Sequence, residues 1–402
     1  MDGPLTSKPR DSLLAMLSHA AVHSPYYREQ DWAARLRAGE TIGFREIPIT
    51  PKTLVRAGTD RFYASFVPPE DGNVQDKPTS GSSGEPMLVR KTQRHFDFNS
   101  QENRRLHSGW GLDRLARRVQ FKFPNDEHPP GTLEEEALPD GRHRWDFYSL
   151  DPRAVFDLLR QTGASMVSGP PSLILGALEE SAEARETLPL RAVATFSEVV
   201  PDELRELVRQ IPDCRLVDNY GCVEAGLIAV QCPRCDAYHP AGRHLVFELL
   251  GEDGRPVEPG AMGRVVVTPL FNRATPLVRY ETGDYATRTQ KSDCPRARIS
   301  IERIVGREKN LFKLPNGRRI MPLLPPRIAD RLGMRRFKFF QTTLTDIELH
   351  YIPRADDGEI PEHVAQDLID KYMSPDFRVR CIRVSDIPRA PSGKFLMYEC
   401  LV

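Results

Sequence analysis

The chain lacks any uninterrupted apolar run of about 18 residues, so no membrane-spanning helix is expected. It lacks an excess of either charge: Lys plus Arg and Asp plus Glu both number 56, for a formal net charge of +0. A polyanion-binding or membrane-surface protein would need a basic balance, so neither class is expected. Met1 to Arg10 holds no apolar segment that could act as a secretion signal, and a cytoplasmic location is the expectation. Cysteine is sparse and odd in number: Cys214, Cys222, Cys232, Cys235, Cys294, Cys381 and Cys400. Without a secretion signal, that pattern argues against a disulfide framework and for reduced thiols, with metal binding the better use of them. No internal repeat or low-complexity tract is present.

The chain has 402 residues, 40% of them hydrophobic, enough for two or three domains with proper cores. Asp11 to His23 reads as an amphipathic helix, with Leu13, Leu14, Leu17 and Ala21 at helical spacing, Asp11 as its cap and Ser24-Pro25 as its stop. Residues 72–86 read as a loop, Thr92 to Gly109 as a helix, and Val119 to Phe123 as a strand. Asn125 to Trp145 is charged and contains Pro and Gly, which reads as an exposed excursion. A regular alternation follows: helix Pro152 to Gln161, strand Ala164 to Ser168, helix Pro170 to Glu180, strand Arg191 to Phe196, helix Pro201 to Gln210 and strand Arg215 to Asp218. Alternation of these lengths means parallel βαβ units, with ligand loops at the carboxyl ends of the strands. From Leu227 the texture turns to β, with strands Leu245 to Leu250 and Arg264 to Thr268, as in a barrel-like or mixed sheet. Past Gly306, strand Ile347 to Ile352, helix Pro361 to Tyr372 and strand Val379 to Val384 suggest a small α/β unit. The fold class expected is therefore α/β: a large domain over 1–305 with a parallel βαβ sheet and a small β-barrel-like part, then a small α/β domain over 306–402.

Several short blocks carry chemistry. Thr79, Ser80, Gly81, Ser82, Ser83 and Gly84 pack hydroxyls and glycines together. Glycines let a backbone approach phosphate closely and turn its N–H groups inward, and the hydroxyls add donors. No Gly-Lys-Ser/Thr follows, so this is not a Walker A loop, and alone it reads equally as a flexible linker. Asn219-Tyr220-Gly221-Cys222-Val223-Glu224 offers an aromatic face for a base, a glycine for close approach and a carboxylate suited to a hard cation such as Mg2+. Asp284, which ends Tyr280-Glu281-Thr282-Gly283-Asp284, can accept both hydroxyls of a ribose, with Gly283 keeping the turn tight. Gly306-Arg307-Glu308-Lys309-Asn310 is a charged stretch, and Pro388-Arg389-Ala390-Pro391-Ser392-Gly393-Lys394 is a proline-framed loop that ends in a long-stemmed cation. Cys232-Pro233-Arg234-Cys235, with His239 and Cys294, offers a closed zinc-type donor set in which His244 is the alternative nitrogen. No thioredoxin-like strand-to-helix context surrounds that CxxC. His107 can orient a carboxylate or simply pack.

The five blocks, taken in this fixed order, resemble the adenylate-forming (ANL) superfamily of acyl-CoA synthetases and adenylation domains. The modest length and the cysteine pattern look most like the phenylacetate-CoA ligase branch. The resemblance runs from Thr79 to the last ten residues. It implies an AMP-forming acid ligase: ATP-dependent adenylation of a small aromatic carboxylic acid with release of pyrophosphate, then transfer to CoA. Within the same superfamily the alternatives are a non-CoA acceptor (an amine or a carrier protein) or activation of nitrite in diazo formation. The implied cofactors are ATP, Mg2+, a structural Zn2+ and CoA. The implied partners are small molecules, without nucleic acid or membrane, in a monomer or homodimer.

Residue by residue, the resemblance implies that Thr79 to Gly84 wrap the ATP phosphates. Ser197, Glu198, Asn219, Tyr220 and Gly221 lie beside adenine, Asp284 and Arg307 hold ribose or phosphate, and Lys313 also faces the nucleotide. Glu224 binds Mg2+, and Lys394 bridges the α-phosphate and the attacking carboxylate. Lys309 is the hinge, within about 307–311, on which a mobile 306–402 domain turns. Phe121, Phe123, Ser168, Gly169, Pro170, Phe196, Ala225 and Gly226 form the acid pocket, and Cys232, Cys235, His239 and Cys294 hold zinc. Two positions depart from the family pattern. Val223 stands where Thr or Ser is usual, and Ser197-Glu198 replaces Gly-Glu or Ala-Glu. Val223 raises the reading of a binding protein that has lost catalysis, against which Asp284 and Lys394 argue. The CxxC raises a zinc-ribbon nucleic-acid protein, against which the zero net charge argues.

Overall fold

The computed structural model describes residues 7–79, 87–112, 117–137, 142–290, 294, 299–307, 310–320, 322, 332–354, 359–389 and 395–402. The chain divides into two compact units, Met1–Leu115 with Val217–Ile304 and Ala116–Leu216 with Val305–Val402. Among the described residues no helix is long and apolar enough to cross a membrane.

The first unit opens with helix Ser7–His23. Leu13, Met16, Leu17, Ala20 and Ala21 recur on one face and are buried. The helix starts four residues before Asp11, which therefore lies inside it and does not cap it. A two-stranded hairpin, Val74–Pro78 with Leu88–Thr92, frames residues 79–87. Helix Gln93–Ser108 follows directly, its first turn capped by Thr92 Oγ1, which accepts the His95 N–H at 3.2 Å. The remaining strands run in the order Leu245–Leu250, Met262–Pro269, Tyr280–Arg288, Ile301–Arg307, Tyr238–Pro240, Gly226–Gln231 and Arg215–Cys222. Pairing is antiparallel where register is defined. The β-rich stretch expected as a barrel-like part or mixed sheet forms, among the described residues, a series with Leu245–Leu250 at its edge beside Met262–Pro269.

Two motif blocks sit inside strands where loops were expected. Strand Arg215–Cys222 runs on through Asn219-Tyr220-Gly221, with a register shift between Tyr220 and Gly221. Strand Tyr280–Arg288 contains the whole Tyr-Glu-Thr-Gly-Asp block. Arg264 opposes Tyr285 while Val266 opposes Glu281, so Thr282, Gly283 and Asp284 bulge out opposite Val265. Gly283 takes φ +78 there, which suits glycine. A bulge re-aims side chains, and here it projects Asp284.

The second unit carries a sheet in the order Ala192–Thr195, Met166–Gly169, Arg117–Lys122, His143–Tyr148 and Leu133–Ala137. The first four are parallel and the last is antiparallel. Helices Pro152–Thr162, Pro171–Glu183 and Asp202–Gln210 alternate with these strands, as the sequence predicts. Asp151 caps the first of them by accepting the Arg153 N–H at 3.0 Å, and Gly163 ends it at φ +57. The expected excursion over 125–145 instead supplies two strands. Leu133–Ala137 is exposed throughout, and its three glutamates are those of a charged edge strand. In His143–Tyr148, Trp145 and Phe147 join the core. Asp146 is buried between them and paired with Lys122 at 2.7 Å. A separate four-stranded sheet, Arg378–Arg383, Asp346–Pro353, Met334–Gln341 and Tyr398–Cys400, packs with helix Glu362–Tyr372 around its own core of Phe312, Phe337, Phe339, Leu349, Ile369 and Phe377.

Candidate active site

In the first unit, two blocks about sixty residues apart in sequence meet. Tyr220 Oη donates to Asp284 Oδ2 at 2.8 Å. Burial, then the Asp284 charge, holds this phenol well above its ordinary value, so it remains a donor. Tyr220 thereby fixes the carboxylate that the sequence assigns to ribose. Glu224 lies on the turn after the same strand and is only 2% exposed. Its Oε1 accepts Tyr280 Oη at 2.8 Å and lies 2.8 Å from Lys52 Nζ. Burial would push the Glu224 carboxyl up. The Lys52 charge and the hydrogen bonds from Lys52, its own backbone and Tyr280 bring it down to about 2. Both side-chain bonds fall on Oε1, so Oε2 is the oxygen with which the carboxylate would meet a hard cation. Lys52 also donates to the Thr282 carbonyl at 3.2 Å, tying the Glu224 turn to the Asp284 bulge. No motif in the sequence points to Lys52.

Thr79 continues the pairing of the hairpin: its N–H donates to the Met87 carbonyl at 2.8 Å, and its Oγ1 accepts the Met87 N–H at 3.0 Å. Ser80, Gly81, Ser82, Ser83 and Gly84 lie outside the described residues. Asn219 Oδ1 is 2.6 Å from His107 Nε2, which gives that histidine a place beside the site. Ala225 is buried, and Gly226 takes φ +79 against helix Gln93–Ser108, where Asn99 Oδ1 accepts the Leu227 N–H at 2.7 Å. Gly221 is needed for close approach: a Cβ there would stand 2.5 Å from the Gly226 carbonyl oxygen. Gly221→Ala should therefore spread strands Arg215–Cys222 and Gly226–Gln231, at a cost of about 1–3 kcal/mol, read from urea unfolding.

In the second unit, Glu198 is committed to protein groups. Its Oε2 accepts the Ser172 N–H at 3.0 Å and its Oε1 accepts the Phe395 N–H at 2.9 Å. Arg389 Nη1 lies 3.8 Å from Oε1 and donates to Ser172 Oγ at 2.8 Å. Ser197 takes φ +74, a conformation glycine adopts more readily, at the position where the family pattern has Gly or Ala. Phe121 packs fully buried in the helix–sheet core, while Gly169 and Pro170 are buried and Phe123, Ser168 and Phe196 are half-buried. The Phe196 N–H donates to the Gly169 carbonyl at 3.3 Å. Lys313 donates through its ammonium to the Val402 carbonyl oxygen. Arg307 is described by its backbone alone, and Lys309 and Lys394 lie outside the described residues.

The donor atoms of Cys232, Cys235, His239 and Cys294 lie within 4.8 Å of one another. Cys232 Sγ and Cys294 Sγ are 4.0 Å apart, His239 Nε2 is 3.2 Å from Cys294 Sγ, and Cys235 Sγ is 3.4 Å from His239 Nε2. Thiolates on one tetrahedral zinc sit about 3.8 Å apart, given Zn–S near 2.3 Å, so the set fits that ion. Ser300 Oγ is 3.1 Å from His239 Nδ1 and holds the ring in place. His239 fills the fourth place, and His244 does not belong to this group.

No family model matches the chain. An indoleacetate–CoA ligase of Aromatoleum aromaticum is 28% identical over 201 residues, which is 47% of this chain and 38% of that protein, so the chain spans well under half of that relative's length. The solved 2-hydroxyisobutyryl-CoA ligase, in its postadenylation state with an acyl-AMP, aligns with TM-score 0.72 at 15% identity, over 98% of this chain and 88% of that one. The amide bond synthetase McbA of Marinactinospora thermotolerans aligns with TM-score 0.59 at 16% identity, over 82% and 70%. The chain thus shares the fold of these solved ligases. On that fold, the Glu224–Lys52 pair and the Tyr220–Asp284 bond build the region of the second and third blocks.

Proposed function

We propose that this adenylate-forming chain activates a small carboxylic acid with ATP and passes the acyl group to CoA. A carboxylate oxygen attacks the α-phosphorus, the bond to pyrophosphate breaks, and an acyl-AMP forms. The CoA thiolate then attacks the acyl carbon and expels AMP. The observation that carries this reading is the convergence of Tyr220 on Asp284, and of Tyr280 and Lys52 on Glu224, in one unit. It supports a ribose-type acceptor on the bulge of Tyr280–Arg288 and a metal-type carboxylate on the turn tied to it by Lys52. The indoleacetate relative supports an arylacetic acid as substrate and CoA as acceptor.

In this reading Thr79 to Gly84 bind the phosphates, Asp284 and Arg307 the ribose, Glu224 the Mg2+, and Lys394 the α-phosphate. Mg2+, when bound, offsets the charge of the phosphate oxygens. The chain's own part is to keep Glu224 ionised through Lys52 and to aim Asp284 through Tyr220. Residues 306–402 form the small mobile domain with its hinge at Lys309, and zinc staples Cys232, Cys235, His239 and Cys294.

Pyrophosphate exchange into ATP, measured across aryl and alkyl acids with and without CoA, tests the reading. Acid-dependent exchange with thioester formed on adding CoA is the expected result. Exchange without thioester would retain adenylation and reject CoA, leaving the amide-forming alternative that the likeness to an amide bond synthetase favours.

A further inference from the structure

Near the turn Glu224-Ala225-Gly226, three basic side chains are buried. Lys91, on strand Leu88–Thr92, is 6% exposed. Among the described residues its ammonium has no hydrogen bond or ion pair, only the ring of Phe96 at 5.6 Å. His95, one turn into helix Gln93–Ser108, and His244 are each 2% exposed. Among the described residues His95 Nε2 is buried without a hydrogen-bond partner, and the His244 ring lies by the Leu227 backbone without a hydrogen bond of ordinary geometry.

These groups sense one another. Burial holds the Lys91 ammonium down to about 8, against the pull of Cys222 and Glu224. Burial, then Lys91, then His244 hold His95 well below its ordinary value, and burial holds His244 down to about 4. The acids nearby are already engaged, Glu224 by Lys52 at 2.8 Å and Glu102 by Arg105 at 2.6 and 2.7 Å. A buried cation and buried ring nitrogens without hydrogen bonds of ordinary geometry are costly unless something arrives to meet them. Gly226 packs close over the cluster: a Cβ there would stand 2.5 Å from Asn99 Oδ1 and 3.3 Å from His95 Nε2, so any side chain at 226 would cover that nitrogen.

We propose that Lys91, His95 and His244 form a subsite for a second carboxylate on the acid substrate, so that the preferred acid is dicarboxylic. This rests on the adenylating function proposed above, with the activated carboxylate above the turn and the distal one beneath it. An anionic oxygen accepts from the Lys91 ammonium and from whichever imidazole nitrogens carry protons, and its charge draws protons onto the rings.

The test pairs acids that differ by a distal carboxylate: glutarate against butyrate, and terephthalate against p-toluate. Pyrophosphate exchange is measured for the full chain, for Lys91→Met and for His244→Phe. The expected result is a kcat/KM preference of about a hundredfold or more for the diacid, falling to within about threefold in Lys91→Met, as when a site built for a polar group loses its partner. A monoacid preferred or equal in the unaltered chain overturns the proposal. So does a Lys91→Met effect confined to the KM of ATP or pyrophosphate, which would make the cluster a phosphate site. Calorimetry with glutarate and terephthalate separates this from failure of the ligase reading. If no acid supports exchange, diacid binding weakened at least about tenfold by Lys91→Met still upholds the subsite, and binding absent or unchanged overturns it. Without ligand, Lys91→Met should melt at or above the unaltered chain, because an unpaired buried charge has gone.

Discussion

Lys52→Met should abolish most of the proposed adenylation and destabilise the first unit together. Glu224 is 2% exposed, and its ionised form depends on the Lys52 ammonium 2.8 Å away. Without Lys52 the carboxylate must either stay charged in a dry site or take a proton. Breaking a buried pair from one side typically costs about 3–5 kcal/mol, and urea unfolding should show a loss of that order. Linkage gives the sign of the second consequence. A carboxyl held at about 2 in the folded chain stays ionised at neutral pH, and the stability it contributes is present above the unfolded-state value and lost as pH falls toward 2. Removing Lys52 raises that folded value, so the carboxylate that should meet Mg2+ is less available, and acid-dependent exchange should fall by about a hundredfold or more. The double variant Lys52→Met with Glu224→Gln should recover much of the stability and none of the exchange. If Lys52→Met keeps full exchange, Lys52 is not the group that holds Glu224.

The purified chain should carry about one zinc per molecule, and stripping it should unfold the segment around the CxxC. Structural zinc sites contribute folding energy outright, roughly 10–16 kcal/mol of apparent binding in isolated zinc-finger peptides. Here the ion would join Cys232, Cys235 and His239 to Cys294, which is 55 residues beyond His239. That link runs beside Tyr238, whose hydroxyl donates to Asp218 at 2.6 Å, one residue before Asn219. Loss of the metal should therefore reach the proposed nucleotide strand. Metal analysis, then hydrogen exchange across 226–240 before and after chelation, measures it. Cys235→Ser should lose the metal, and His244→Ala should keep it. Substoichiometric zinc together with unchanged exchange after chelation would mean that the four side chains are ordinary reduced thiols and a histidine.

The helices and inner strands of the second unit were readable because a helix buries one face and an inner parallel strand is apolar on both. Asp202–Gln210 places Leu204 and Val208 inward at helical spacing, and Ala192–Thr195 is short, largely apolar and buried throughout. The strand pair over 133–148 was hidden because an exposed edge strand of three glutamates has the composition of a loop. The motif blocks were readable as chemistry, yet their setting was not. Tyr220 looked like a base-stacking ring and is a donor to Asp284, while Glu198 looked like an adenine contact and accepts two backbone N–H groups.

By itself the sequence determined which local segments could be helix or strand, and which side chains had the chemistry for phosphate, ribose, metal and zinc. Periodicity and residue type act over a few positions, and a one-dimensional string carries them. Only the tertiary structure decided that Lys52 belongs to Glu224, that His239 and not His244 completes the cysteine set, and that Lys91 meets His95 and His244 in a buried space. Such partners are fixed by chain crossings between distant strands, and the charge state of a buried group depends on which neighbour the fold brings to it.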